Sequence, residues 1–161
     1  MSNATTITAN PGEQVVDIER VIDAPVGDVY RAYSEPELLA KWLGPRGYDM
    51  DVSKFDLRNG GEWAFVHRNP KGERFAFHGS YHGVEPMTSI VQTFEFEGAP
   101  GHVSLERVSF EDLGTSTRVR VHAVYQSVED RDGMVASGME HGVVEGYERL
   151  DELLLRMVTR G

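Results

Sequence analysis

A chain of 161 residues with 26 acidic and 16 basic side chains carries a formal charge of -10 and no cysteine. That length suits one domain that buries roughly 70% of its unfolded surface without staples. The missing cysteines exclude disulfides, thiolate metal ligands and a cysteine nucleophile; the acidic balance argues against nucleic acid; and no run of about 18 apolar residues is present to insert in a membrane.

Residues 1–13 are rich in Ser, Asn, Thr and Ala and end near Pro11-Gly12. They read as a flexible tail before a single domain over 14–160, although Thr5 to Thr8 can extend the first strand. With neither a basic region nor an apolar core, the tail is no signal peptide, and a cytoplasmic protein is expected. Val15, Val16, Ile18, Val21 and Ile22 form a β-branched run, the first strand, about 14–23. Ala24-Pro25 ends it and opens a short helix, about 26–33, on which Val26, Val29, Tyr30 and Tyr33 repeat at three and four. A second short helix runs from Pro36 to Leu43, with Ser34 and Glu37 at capping-box spacing and Gly44-Pro45 as its stop.

From Tyr48 to Tyr125 the period becomes two. Tyr48, Met50 and Val52 share a face, and the opposite parity of Phe55 and Leu57 places a bulge near Lys54. Turns at Gly60-Gly61, Asn69-Pro70-Lys71-Gly72, Pro86, 97–101 and 112–114 separate six strands joined as an antiparallel meander. With the first strand, the sheet has seven.

The segment from Asp132 to Val158 is a long amphipathic helix with a short helical lead-in from about Glu129. Met139, Val143, Leu150, Leu153, Leu154 and Met157 fall on one arc, with Gly146 inside it and Gly142 at its edge. Glu145 with Arg149 and Glu152 with Arg156 have the order that favours helical ion pairs. Gly138 marks a kink or a late start. Helices at both ends of a run of strands give an α+β class. A sheet curved at Gly79 and Gly83 and wrapped round this helix leaves a space between them, the expected site.

The lining expected for that space is Trp42, Trp63, Phe65, Phe77 and Tyr81, with Met139, Gly142, Val143 and Gly146 opposite. His67 shares parity with Trp63 and Phe65 and is a candidate acid/base or ligand donor. Arg58 and Tyr81 are the other weak catalytic candidates, Arg58 with the alternative of an ion pair to Asp56 across its turn. His78 and His82 are four apart in a strand, about 13 Å, too far for one ion. Neither a metal site nor a cofactor motif is read.

Several motifs together carry a family resemblance from about Val15 to Met157. They are Ala24-Pro25, Pro36 with Trp42, Asp56-Leu57-Arg58-Asn59-Gly60-Gly61, Gly79 with Tyr81 and Pro86, Gly114-Thr115, and Ser137-Gly138-Met139-Glu140. The chain resembles the START-like (SRPBCC) superfamily of lipid-transfer domains, the birch-pollen allergen (Bet v 1-like) and polyketide cyclases. Within it the match is to the activator of the 90-kDa heat-shock protein ATPase homologues. The resemblance implies a helix-grip fold. The leading expectation is a module that binds a small hydrophobic or amphipathic ligand. The alternatives are a cyclase- or dehydratase-like enzyme acting on a bound carbonyl compound, and a chaperone-linked or stress-response interaction protein. Eukaryotic namesakes stimulate a chaperone ATPase but carry a further N-terminal domain missing here, so a chaperone partner is not expected. The sequence leaves a homodimer open.

Overall fold

The computed structural model describes residues 3–160, so residues 1 and 2 of the expected tail lie outside the described residues. The elements in order are β1 (Thr6–Thr8), β2 (Val15–Ile22), α1 (Val26–Ser34), α2 (Pro36–Leu39), β3 (Asp49–Phe55), β4 (Glu62–Arg68), β5 (Arg74–Glu85), β6 (Ser89–Phe96), β7 (Val103–Asp112), β8 (Thr117–Val124), α3 (Val128–Ala136) and α4 (Met139–Arg160). The strands form one antiparallel sheet in the order β1-β2-β8-β7-β6-β5-β4-β3. α1 and α2 carry the chain from β2 to β3 at the far edge, and the meander then returns until β8 pairs with β2.

Among the described residues the sheet has eight strands, not seven. Thr6–Thr8, within the segment read as a flexible tail, pair with Asp17 to Glu19. Three residues are too few to show a period; a turn around Gly12, which has φ 80°, folds them back onto the β2 edge. The bulge falls where parity placed it, between Val52 and Lys54.

Alternation sorts β2 cleanly: Val16, Ile18, Arg20 and Ile22 are buried. The same inner face continues through Ala123, Val119, Val108 and Phe110. α4 closes this face with Tyr147, Leu150, Leu153 and Leu154, all buried, whereas Met139 and Val143 in its first turns are only half-buried. Burial at roughly 25 cal/mol per Å² of apolar surface holds helix and sheet together.

The long C-terminal helix is broken. Ser127 caps α3 by accepting from the Asp130 amide at 3.0 Å, and Gly138, with φ 90°, ends it before α4 starts. The Ser34–Glu37 capping box does not form: α2 starts after Glu35, has no side-chain cap, and ends at Leu39, four residues short of Leu43. The expected Glu145–Arg149 pair is replaced by longer-range contacts. Arg149 donates to the carbonyls of Lys41, Gly44 and Pro45, and Glu152 pairs with Arg46 at 2.6 Å. A loop packed against the helix outcompetes an exposed pair worth a few tenths of a kcal/mol. Among the described residues, no helix is long and apolar enough to cross a membrane.

Candidate functional site

Cross-strand register decides which side chains meet on the inner face. Trp63 lies opposite Gly79, and Phe65 opposite Phe77. Tyr81 lies opposite Gln92, which lies opposite Glu106, and Phe94 lies opposite Ser104. Directly opposed side chains on one face are within about 5.5 Å at Cβ, so these form adjoining rows. One row is aromatic: Trp63 stacks on Phe65 with centroids 5.1 Å apart, Phe77 is 5.3 Å from Phe65, and Phe94 is 5.8 Å from Trp63 and 5.3 Å from Phe77. Gly79 permits this. A Cβ there would sit 2.6 Å from Trp63 Nε1 and collide with the Thr93 carbonyl.

The neighbouring row is polar. Gln92 Nε2 donates to Glu106 Oε1 at 3.1 Å. Ser104, 3% exposed, and Trp63, 7% exposed, have a hydroxyl and an indole N–H with no hydrogen-bond partner. Burial raises the Glu106 carboxyl to about 7, against a weaker opposing pull from the Gln92 bond. The field of Glu106 adds to burial in raising the Tyr125 phenol, which Arg131 offsets in part. Tyr147 is pushed to about 12, chiefly by burial. A carboxyl that exchanges its proton near neutrality on an aromatic surface has the property required of an acid/base or hydrogen-bonding group in a site.

The expected lining residues divide. Trp63, Phe65, Phe77 and Tyr81 share the inner face, and Met139 and Val143 are partly buried against the core to which Trp63, Phe65 and Tyr81 belong. Trp42 instead locks the helices: its Nε1 donates to the Ala32 carbonyl at 2.9 Å and its ring stacks on Tyr147. Gly142 and Gly146 face the loop after α2. A Cβ at Gly146 would lie 3.3 Å from the Gly44 amide nitrogen, and one at Gly142 would lie 3.6 Å from Pro45. The approach is tight at Gly146 and an ordinary contact at Gly142. Arg58 is on the surface, 74% exposed and paired with Asp56 at 2.8 Å, so it does not reach the inner face. The turn has its own constraint: a Cβ at Gly61 would overlap the Asp56 carbonyl.

His67 is buried at the edge of the aromatic row, 4.9 Å from Phe65 and 5.6 Å from Phe77 between centroids. Gly44 closes over it, since a Cβ there would come within 2.8 Å of the imidazole. Burial lowers its pKa, a bond with the Leu43 backbone raises it, and Arg149 lowers it again. Its Nε2 has no partner. The imidazole packs there under the loop after α2, at one end of the aromatic row. His78 pairs with Glu95 and Glu97 at the surface. One surface hollow lies on the outer face between β1 and β7, and another lies beside the turn at 54–62.

Glu106, Gln92 and Ser104 were absent from the sequence reading, as were Arg20 and Tyr147. Their signals were present. Glu106 and Ser104 keep phase with Val108 and Phe110, and Arg20 keeps phase with Ile18 and Ile22. Tyr147 follows Val143 by four on the apolar arc. A charged residue in an inward phase is the mark that alternation offers and a search for apolar residues passes over.

Comparison with known proteins adds the family. No curated protein matches the chain. A solved structure from Rhodobacter sphaeroides is 25% identical and superposes with a TM-score of 0.86 over 95% of this chain and 99% of that one. A protein from Mycobacterium smegmatis, 24% identical, gives 0.85 over 94% and 97%. One from Silicibacter pomeroyi that bears the family's name, 22% identical, gives 0.73 over 88% and 99%. Below 25% identity the likeness is one of fold. The family model described as "Activator of Hsp90 ATPase homolog 1-like protein" matches residues 23–155, and the chain belongs to that family.

Proposed function

We propose that the protein binds a small amphipathic molecule on the inner face of its sheet, beneath the first turns of α4. The observation that carries this reading is the pair of buried polar atoms without partners, Ser104 Oγ and Trp63 Nε1, set in an aromatic surface. Each buried polar group left unmade costs about 1–3 kcal/mol, which a ligand oxygen recovers on binding. Phe77, Phe94, Met139 and Val143 remain half-buried although they belong to the core side of their elements. They supply the apolar contact area, and the polar row orients what lies on it.

The test uses N-phenylnaphthylamine, an uncharged dye whose emission rises in apolar surroundings. Saturable uptake with an upward shift of the melting midpoint is expected, because a ligand that binds only the folded state stabilises it by mass action. Val143→Trp, which enlarges a half-buried side chain in the first turns of α4, is expected to abolish uptake while the protein still melts cooperatively. Absence of saturable uptake by the wild type defeats the reading.

A further inference from the structure

Among the described residues, the inner face carries one carboxyl group that no basic side chain neutralises. Glu106 has Gln92 as its hydrogen-bond partner, and no Lys, Arg or His pairs with it. Arg20, the cation built into the same face, is committed to Asp151 at 2.6 Å and Thr5 at 2.8 Å. Ser104 lies two residues from Glu106 on the same strand and face, its hydroxyl unpartnered and 3% exposed. Trp63, with its unpartnered N–H, stands over Gly79 beside Phe94, which itself opposes Ser104.

The donor inventory narrows the ligand. An indole N–H only donates, a serine hydroxyl donates or accepts, and a carboxyl accepts when ionised and donates when protonated. An uncharged hydroxyl can bond to all three; a ketone oxygen accepts from the indole and the serine, and from Glu106 only while that carboxyl is protonated. A carboxylate or sulfonate brings like charge against Glu106 in a poorly solvated site, which is repulsive. An ammonium group satisfies Glu106 and presents donors to the donor-only indole.

We infer that Glu106, Ser104 and Trp63 form a head-group site for the uncharged hydroxyl or ketone oxygen of a fused-ring or aryl ligand, with Glu106 excluding anionic head groups. This rests on the ligand-binding reading above and gives it a substrate class. Discrimination of this kind depends on a repulsive element as much as on an attractive one.

Four probes sharing one ring system separate the outcomes: naphthol, acetylnaphthalene, naphthoate and naphthylmethylammonium. Isothermal titration at mildly alkaline pH is expected to show naphthol and acetylnaphthalene binding at least about tenfold more tightly than naphthoate, with the ammonium probe weaker than naphthol. Glu106→Gln keeps the size of the side chain and removes the charge. It is expected to raise naphthoate affinity about tenfold and to change naphthol affinity by less than about threefold. Ser104→Ala is expected to weaken naphthol about fivefold. Circular dichroism and a urea melt check that each variant is folded. Equal affinity for naphthol and naphthoate overturns the inference, as does a preference that survives Glu106→Gln or tightest binding by the ammonium probe. Those three results leave ligand binding itself standing. Failure of every probe to bind the folded wild type overturns both.

Discussion

At the residue scale, burial opposes the ionisation of Glu106. Its folded-state pKa, about 7, lies above the ordinary carboxyl value of 4.5, so the folded protein holds the proton that the unfolded chain releases. Its contribution is fully present below about pH 4.5 and is lost as pH rises through about 7. The shift corresponds to a difference on the order of 3 kcal/mol between those limits. His67 has the opposite sign. Burial lowers its pKa below 6.5, so its contribution is present above that value and is lost as pH falls through the folded-state pKa. The two slopes oppose each other in the mildly acid range, and a wild-type profile alone mixes them. Glu106→Gln is expected to be more stable than wild type near about pH 8, with the advantage vanishing toward about pH 4.5. Urea midpoints measured across that range check this; parallel curves for the two proteins would show that Glu106 titrates as an ordinary surface carboxyl.

At the scale of elements, glycines divide into those that permit an approach and those that only weaken a helix. Gly79 in β5 lets the Trp63 ring lie over the strand, and any Cβ collides with that ring and with the Thr93 carbonyl. Gly79→Ala is expected to cost about 1–3 kcal/mol, the usual range for overpacking. Gly142 in α4 has no φ restriction, and the nearest atom to an added Cβ is in Pro45 at 3.6 Å, an ordinary contact. Gly142→Ala is expected to gain about 0.5–1 kcal/mol through the lower backbone entropy of the unfolded chain. Denaturant midpoints with unchanged slopes check both. Gly146, close to the Gly44 and Trp42 backbone, binds the helix to the loop that covers His67. The same contact lets Arg149 take three carbonyls from residues 41–45 and hold that loop down.

At the scale of the whole molecule, one ion pair ties the two ends of the chain together. Arg20 in β2, 2% exposed at its side chain, donates to Asp151 in α4 across 131 residues of sequence and to Thr5 beside β1. Its guanidinium also lies 5.8 Å from the centre of the Tyr147 ring. Removing one member of a buried pair leaves the other uncompensated, and Arg20→Ala is expected to cost about 3–5 kcal/mol. The double variant Arg20→Met with Asp151→Leu removes both charges and is expected to lose less than that single change. A double-mutant cycle of unfolding free energies measures the coupling; strict additivity would show that the pair carries no joint contribution. Arg131, paired with Asp132 at 3.0 Å, plays a similar part near the start of the chain. It is buried under the first hairpin and donates to the carbonyls of Asn10 and Val15.

What the sequence determined was local and periodic. Alternation from Tyr48 to Tyr125 placed six strands and the bulge near Lys54, Pro25 and Pro36 opened two helices, and the apolar arc of α4 showed that one face had to be covered. Those signals follow from backbone geometry and need no partner. On the site, parity brought Trp63, Phe65, Phe77 and Tyr81 to one face. The partners were decided by tertiary structure. β1 is too short to announce itself and exists through its pairing with β2. Trp42, Gly142 and Gly146 belong to the packing of α4 on a loop, a contact between segments about a hundred residues apart that no period records. Glu106 could be placed inward by phase, but only the register of β6 on β7 sets Gln92 against it and leaves Ser104 without a partner beside it. A period fixes the face on which a side chain lies; which polar atoms on that face find partners depends on long-range pairing, and only the folded sheet decides it.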